Sequence, residues 1–285
     1  MNLAESTVCE LASQPGVDKW WSPVVMEYIS QRQAVAVCGN SGKDDRSCYS
    51  LRPGTPPTWQ PIPPLVQDHC PYPFGTSSHY TSRAGWFVFG QDKSNCGSYP
   101  GSSLVSELLN TDQEWLLTTL SSPYPDGFPS ESCSVLLNAT TIMVTGGVAG
   151  YDGLSSTFLL DLDTLAWTEV APMKSARFGH GCTVTREGNV LVAGGTDGPS
   201  VHIYHPDTDS WTVEQQNLPN QIYSYNSYIL LWNHKPILLS PYSQEIWERT
   251  EENSWELMTA TLGANFDGSF YNTAVMVPSG LYECP

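Results

Sequence analysis

A complete structural repeat occupies residues 171–219, APMKSARFGHGCTVTREGNVLVAGGTDGPSVHIYHPDTDSWTVEQQNLP. Alternating apolar and polar residues, a short apolar run and two β-branched or aromatic segments predict four strands, at 178–185, 190–193, 201–204 and 211–214. The second strand ends at the pair Gly194 and Gly195, and turn residues at 206–209 separate the third strand from the fourth. The rest of the chain can be aligned to this four-strand unit.

A second copy of the unit lies directly before the first, at residues 133–173. Its apolar strand at 141–145 runs into Gly146 and Gly147, and Asp-Thr and then Trp167 follow. The first copy has the same order, with Tyr204 ahead of Asp-Thr and Trp211. This pattern resembles the kelch repeat family and the superfamily of the galactose oxidase central domain. The resemblance implies an all-β propeller, because a single four-stranded blade cannot bury both of its faces alone.

The tryptophans predict the number of blades. Fourth-strand candidates are Trp20 or Trp21, Trp59, Trp115, Trp167, Trp211 and Trp255. The first lacks an upstream second strand. Residues 268–277 and 281–284 look like a first and a second strand that no third and fourth strand follow. We therefore expect a six-bladed kelch-type β-propeller, closed by amino-terminal outer strands and carboxy-terminal inner strands in one shared blade. The predicted single domain, 1–285, has blades at 1–28 plus 266–285, 29–64, 65–120, 121–170, 171–218 and 219–262.

The eight cysteines predict a disulfide framework, since the close CxxC spacing typical of metal sites is absent. Aligned repeats place Cys38 and Cys48 on the second and third strands of one blade, and Cys9 and Cys284 on the same strands of the shared blade. Cys133 and Cys182 occupy equivalent first-strand positions in neighbouring blades. We expect these three pairs, with Cys70 and Cys96 left in loops on one face.

The composition limits the classes of partner and compartment. The net charge of −17 argues against binding nucleic acid or an anionic membrane, which requires basic patches. No apolar run is long enough to span a membrane, and the first twelve residues show no signal peptide, so we expect a mature chain. The even number of cysteines and the glycosylation sequon at Asn138 favour a secreted, acidic glycoprotein.

Catalytic and metal-binding motifs are absent from the sequence. His202 and His205 are three apart in a predicted strand and so point to opposite faces. Asp161 with Asp163, and Asp207 with Asp209, are interpreted as turn carboxylates because the rest of a calcium loop is missing. Within the kelch resemblance, neither the oxidase's copper ligands nor the iron-binding pattern of plant specifier proteins can be matched. The cofactor is therefore unknown.

The loops remain as the candidate functional surface. In kelch proteins, ligands meet the face formed by loops from the second to the third strand and from the fourth strand to the next blade. The ligand-binding candidates on these loops are Arg46, Asp92, Asp152, Arg177, His180, Asp197, Tyr223 and Tyr225. We expect a non-enzymatic binding protein for a protein, glycan or small apolar pigment. The alternative is an enzyme with a metal or acid–base site at the channel mouth, using Asp92, Asp152 and Asp197.

Overall fold

The computed structural model describes residues 25–39, 46–54, 57–70, 76–92, 103–110, 114–118, 120–219, 228–232, 234–240 and 243–261. Their secondary structure is β-strand with short 3₁₀ turns, which confirms the predicted all-β class. The chain divides into two compact units, one containing residues 1–128 and 271–285 and the other residues 129–270. Among the described residues, no helix has the length and apolar character needed to cross a bilayer.

The first unit contains two four-stranded antiparallel sheets. Blade 1 consists of β1 Val25–Ile29, β2 Ala34–Cys38, β3 Cys48–Arg52 and β4 Thr58–Ile62. Blade 2 consists of β5 Ser77–Thr81, β6 Gly85–Gln91, β7 Leu104–Leu109 and β8 Trp115–Thr118. In both sheets each strand pairs with the next along the chain, and the first strands β1 and β5 pack side by side.

The second unit contains three sheets of the same order. Blade 3 consists of β9 Cys133–Asn138, β10 Thr141–Thr145, β13 Thr157–Asp161 and β14 Ala166–Val170, with the hairpin strands β11 Val148–Ala149 and β12 Asp152–Gly153 inserted after β10. Blade 4 consists of β15 Gly181–Val184, β16 Val190–Ala193, β17 Val201–His205 and β18 Ser210–Val213. Blade 5 consists of β19 Tyr228–Trp232, β20 Lys235–Ser240, β21 Glu245–Arg249 and β22 Trp255–Thr261.

These sheets have the meander order of propeller blades, and the described residues form five of them. The expected six blades are therefore not confirmed, and residues 1–24 and 266–285 of the expected shared blade lie outside the described residues. The predicted boundary after residue 28 also differs from the structure. Val25–Ile29 pairs with Ala34–Cys38 and is the first strand of blade 1, because its partly apolar sequence packs beside β5.

Burial explains why the second strands are the clearest signal in the sequence. Every residue of β2, β6 and β16 is buried, so β2 and β16 are continuous apolar runs, and β6 contains no polar side chain before its last residue, Gln91. Fourth strands such as β4 and β14 are mostly exposed. The predicted first strand at 178–185 shortens to Gly181–Val184, because residues 178–180 pack over the glycines of neighbouring strand ends.

The tryptophans join consecutive blades. The indole Nε1 of Trp115 on β8 donates a hydrogen bond to the carbonyl of Pro63, just after β4, at 2.8 Å. The indole of Trp211 on β18 donates equivalently to the carbonyl of Ala171, just after β14, also at 2.8 Å. Trp115 and Trp211 thus tie their blades to the segment that leaves the previous blade, which gives the tryptophan at these two positions a structural role.

Two of the expected disulfides are confirmed. Cys38 and Cys48 are directly opposite each other on β2 and β3 and are joined, with Cα atoms 4.1 Å apart. Cys133 on β9 is joined to Cys182 on β15 across two adjacent sheets, with Cα atoms 6.1 Å apart. Cys70 is also disulfide-bonded. Cys9, Cys96 and Cys284 lie outside the described residues, so the pair expected between Cys9 and Cys284 stays a prediction.

Candidate functional site

The double glycines of blades 3 and 4 allow one loop to pass closely over two strand ends. The backbone of Gly146 has a φ of 57° and that of Gly195 a φ of 74°. A Cβ atom on Gly146 would lie 2.4 Å from the carbonyl oxygen of Arg177, and one on Gly195 would lie 2.4 Å from that of Phe178. Only glycine satisfies both the positive φ and this close approach. The segment 173–180, which connects blade 3 to blade 4, is thereby held over both sheets.

Arg177, which belongs to this segment, is fully buried. This corrects the prediction that it is exposed. Its guanidinium nitrogen Nη2 lies 2.6 Å from a carboxylate oxygen of Asp197 and 2.8 Å from the hydroxyl of Ser200. Its Nη1 donates to the carbonyl of Ser200 at 3.2 Å. Burial lowers the pKa of Arg177 to about 10, and the charge of Asp197 partly offsets this effect. Arg177 therefore anchors the turn after β16 from inside.

Asp197 closes the network at its solvent side, with a quarter of its side chain exposed. The same carboxylate oxygen accepts hydrogen bonds from the hydroxyls of Ser175, at 2.6 Å, and Ser200. Burial alone would raise the pKa of Asp197, but these two hydroxyls and Arg177 hold it below its ordinary value. Asp197 is therefore an ionised carboxylate whose oxygen Oδ2 is held by three donors.

Two buried histidines flank the network and are kept neutral. His180 Nε2 lies 2.8 Å from the hydroxyl of Thr145, and burial, followed by the charge of Arg177, holds its pKa well below the ordinary value. Burial and then Arg177 lower the pKa of His202 to about 4. His205, on the other face of β17, is partly exposed and contacts Thr212 at 2.9 Å, which confirms the predicted opposite orientation.

A small hairpin, β11–β12, stands beside the network. The backbone of Ser130 exchanges two hydrogen bonds with Val148, at 2.8 and 3.2 Å. The amide of Arg177 donates to the carbonyl of Leu154 at 3.0 Å, so the same buried residue also braces the end of the hairpin. Tyr151, at the tip, is fully exposed, and Asp152 beside it is exposed too.

We call the surface formed by the hairpin 148–153, the segment 173–180 and the turn 194–200 the loop face of the second unit. Its exposed groups include an aromatic ring, carboxylates and the ammonium of Lys174. Ser200 lies between Arg177 and Asp197: its hydroxyl donates to Asp197, Arg177 donates to it, and Nε2 of His202 lies 3.4 Å away. The arrangement is suited to rigid presentation of side chains.

The predicted candidates of the first unit have different surroundings. Arg46 forms an exposed ion pair with Asp68, with 3.5 Å between the charged atoms. Asp92 lies opposite His69 in an isolated β-bridge, and its amide donates to the carbonyl of Ser103 at 2.9 Å. Tyr223 and Tyr225 lie outside the described residues. Within the described ranges, no group of three or more histidine, cysteine or acidic side chains is arranged to hold a metal ion.

The sequence analysis did not predict a buried carboxylate in the first unit. Glu107 on β7 is completely buried and accepts hydrogen bonds from the amides of Val66, at 2.6 Å, and Gln67, at 2.8 Å. Its Oε1 also lies 3.0 Å from Nε2 of His69. Glu107 thus fixes the segment between blades 1 and 2. A single acidic residue within the apolar strand LVSELL is the only sequence signal of it.

The turn carboxylates behave as predicted. Asp161 accepts hydrogen bonds from the amides of Asp163, at 3.0 Å, and Thr164, at 2.8 Å. Asp209 accepts from the hydroxyl of Tyr204, at 3.0 Å, and from the amide of Ala171, at 2.8 Å. These bonds stabilise the β13–β14 and β17–β18 turns and the connection between blades 3 and 4.

Comparison with known proteins gives short local similarities. No family profile matches the chain. It is 32% identical over 69 residues to tRNA wybutosine-synthesizing protein 4 of Saccharomyces cerevisiae, and 43% identical over 63 residues to β-scruin of Limulus polyphemus, a kelch-repeat protein. The first match covers 24% of this chain and 10% of the yeast protein, and the second covers 20% and 7%. With the blade-like sheets, the second similarity supports a β-propeller of kelch type.

Proposed function

We propose that the chain is a secreted, non-enzymatic recognition protein that binds a ligand or partner through the loop face of a kelch-type propeller. The ligand classes are a protein, a glycan or a small apolar pigment. The observation that supports this proposal best is the exposed Tyr151 on a hairpin whose base is fixed by buried Arg177. Aromatic side chains on rigid supports supply much of the energy at recognition surfaces, because little entropy is lost when they bind.

We also propose that the propeller closes with a sixth blade formed by residues before β1 and residues 266–285. Support comes from the two confirmed pairs, because the alignment that predicted them also pairs Cys9 with Cys284. The bonded state of Cys70 agrees with the remaining pair, Cys70 with Cys96. Peptide mapping of the non-reduced protein tests the closure, and a free thiol at Cys284 would contradict it.

Secretion is proposed from the cysteine chemistry. Disulfides persist in oxidising compartments and are uncommon in the cytosol, and both described bridges link strands within a sheet or between neighbouring sheets.

The name of the yeast relative refers to tRNA modification, but the match spans 10% of that protein. A net charge of −17 opposes contact with a polyanion, so this role is not extended to the present chain.

The alternative, a metal-dependent or acid–base enzyme, has weaker support. Its predicted acids include Asp197, whose carboxylate oxygen Oδ2 already contacts Arg177, Ser175 and Ser200. Asp152 is exposed at a hairpin tip. A catalytic acid or base usually has a pKa shifted toward neutrality, whereas the pKa of Asp197 is held below its ordinary value.

Binding by loop-face variants tests the proposal. The full chain is made with its disulfides and probed with a glycan microarray, an extracellular-protein array and a carotenoid in solution. Tyr151→Ala should weaken binding of the probe that wild type recognises by about tenfold, as expected for an aromatic hot spot. Leu257→Ala is the matched control, because this exposed residue lies on the outer strand β22. Equal affinity of wild type and Tyr151→Ala would show that the binding site lies elsewhere. Chemical conversion of a probe would favour the alternative function, an enzyme.

A further inference from the structure

The turn between β9 and β10 contains the tripeptide Asn138-Ala139-Thr140. This is the only Asn-X-Ser/Thr sequence in the 285 residues. Asn138 is the last residue of β9, and both it and Ala139 are exposed, whereas the strand residues before them are partly buried. The tripeptide therefore combines an acceptor sequence with access to solvent.

Two short hydrogen bonds fix the side chain of Asn138. Its Oδ1 accepts from the backbone amide of Thr140 at 2.9 Å and from the hydroxyl of Thr140 at 3.3 Å. Both bonds draw the same oxygen toward the turn. Because the amide group is planar, Nδ2 is then directed away from these two donors.

The amide nitrogen of Asn138 is available for modification. Within the described part of the chain, Nδ2 donates no hydrogen bond, so replacing one of its hydrogens breaks no contact there. The two bonds to Oδ1 also polarise the amide. The threonine hydroxyl therefore has a direct role at this site, and an alanine at position 140 would remove it.

We propose that Asn138 carries an N-linked glycan. In the transfer, Nδ2 forms a bond to C1 of the first sugar of a lipid-linked pyrophosphate oligosaccharide, and the bond from C1 to the pyrophosphate oxygen breaks. The lipid pyrophosphate leaves with the electron pair, and the amide proton is lost to a base of the transferring enzyme. No oxidation or reduction takes place.

The geometry is available before the propeller is assembled. Both hydrogen bonds join residues two apart, and such Asx turns form locally without tertiary packing. The acceptor conformation can therefore exist on the nascent chain. After folding, the turn stays at the surface, so an attached sugar remains in water.

The glycan would lie away from the loop face. Residues 139–140 are at one end of β10, and Gly146 and the hairpin are at the other. Five strand residues span about 17 Å, at roughly 3.3 Å each. A sugar at Asn138 would therefore leave Tyr151 accessible. The inference rests on the proposed secretion, since the glycan donor meets only chains that enter the secretory pathway.

The test uses the full chain behind a cleavable secretion leader in eukaryotic cells. The peptide containing residue 138 is analysed by mass spectrometry before and after treatment with peptide N-glycosidase, which converts a glycosylated asparagine to aspartate. Wild type and Thr140→Ser should carry a removable glycan on Asn138. Thr140→Ala and Asn138→Gln should carry none. Translation with microsomes gives the same comparison if a variant is not secreted.

Correct formation of Cys38–Cys48 and Cys133–Cys182 serves as the folding control. Secreted wild type with these bridges and an unmodified Asn138 would overturn the inference, as would a glycan that persists in Thr140→Ala. Probe binding by wild type separates the two proposals. Wild type that binds a probe but carries no glycan rejects only the glycan, while wild type that carries the glycan but binds no probe rejects only the recognition function.

Discussion

The carbonyl oxygen of Arg177 lies 2.4 Å from the position that a Cβ atom would take on Gly146. This relationship joins the end of one sheet to the loop that starts the next. It explains the double glycine as a requirement for space as well as for backbone conformation, and it places the buried arginine directly above the strand end.

We predict that Gly146→Ala destabilises the protein strongly. The substitution combines the cost of a positive φ, about 1–2 kcal/mol, with a clash against backbone and against His180 and Met173. Gly150→Ala is the matched control, because Gly150 also has a positive φ of 67° but no atom within 4 Å of its added Cβ. Urea unfolding should show a loss for Gly146→Ala well above that of Gly150→Ala. Equal losses would show that the close approach has no energetic effect.

We predict that Arg177→Ala lowers stability by about 3–5 kcal/mol, since it leaves the partly buried Asp197 without its cationic partner. Arg177→Lys should recover only part of the loss, because one ammonium cannot reproduce the fork to Asp197 and Ser200. Lys174→Ala, on the same loop but exposed, should change stability by less than about 0.5 kcal/mol. Thermal unfolding measures all three. A stable Arg177→Ala variant would contradict the anchoring role.

Glu27 gives the stability a specific pH dependence. Burial of this side chain, on β1 where that strand packs beside β5, raises its pKa from 4.5 to about 8, and hydrogen bonds from the amides of Tyr28 and Tyr80 offset only part of this. The folded state therefore holds a proton that the unfolded state releases, so the stabilising contribution is complete below pH 4.5 and is lost as the pH rises through about 8.

The measurement is urea unfolding of wild type and Glu27→Gln between pH 5 and 9. Glutamine mimics the protonated acid, so Glu27→Gln should gain stability relative to wild type as the pH rises, by a few kcal/mol, at about 1.4 kcal/mol for each pH unit of pKa difference. Glu114→Gln, at an exposed site, is the control. A difference between the two proteins that does not change with pH would mean that Glu27 is ionised in the fold.

The two described disulfides should contribute unequally. Cys133–Cys182 closes a sequence separation of 49 residues and Cys38–Cys48 one of 10. In the chain-entropy model these crosslinks stabilise the fold by about 4 and about 3 kcal/mol. Paired Cys→Ala variants, compared by thermal unfolding, should therefore show the larger loss for the inter-sheet bridge. The reverse order would mean that packing of the buried sulfurs outweighs chain entropy.

The sequence predicted those features of the fold that depend on local pattern. The strands Thr141–Thr145 and Val190–Ala193 were located without error, because all but one of their residues are buried and their centres are apolar runs. The pairs Cys38–Cys48 and Cys133–Cys182 followed from the alignment of repeats. Alignment succeeds here because equivalent positions in blades have equivalent neighbours.

Features that depend on tertiary contacts were harder to predict. Arg177 was expected at the surface, because the sequence does not show that the turn containing Asp197 and Ser200 folds onto its guanidinium. Glu107 was not singled out, since its partners Val66 and Gln67 belong to the segment that leaves the previous blade. Residues 25–28 of the strand Val25–Ile29 were assigned to the shared blade, because this short stretch of mixed polarity does not show which strand it pairs with.

The indole bonds from Trp115 to Pro63 and from Trp211 to Ala171 have an evolutionary consequence. In blades 2 and 4 the fourth-strand indole reaches backward, and its acceptor follows the last strand of the blade before. A tandem duplication that copies such a blade together with the blade before it would supply both halves of this junction at once. Repeat number could then change in pairs between ancestors and descendants without separating an indole from its acceptor.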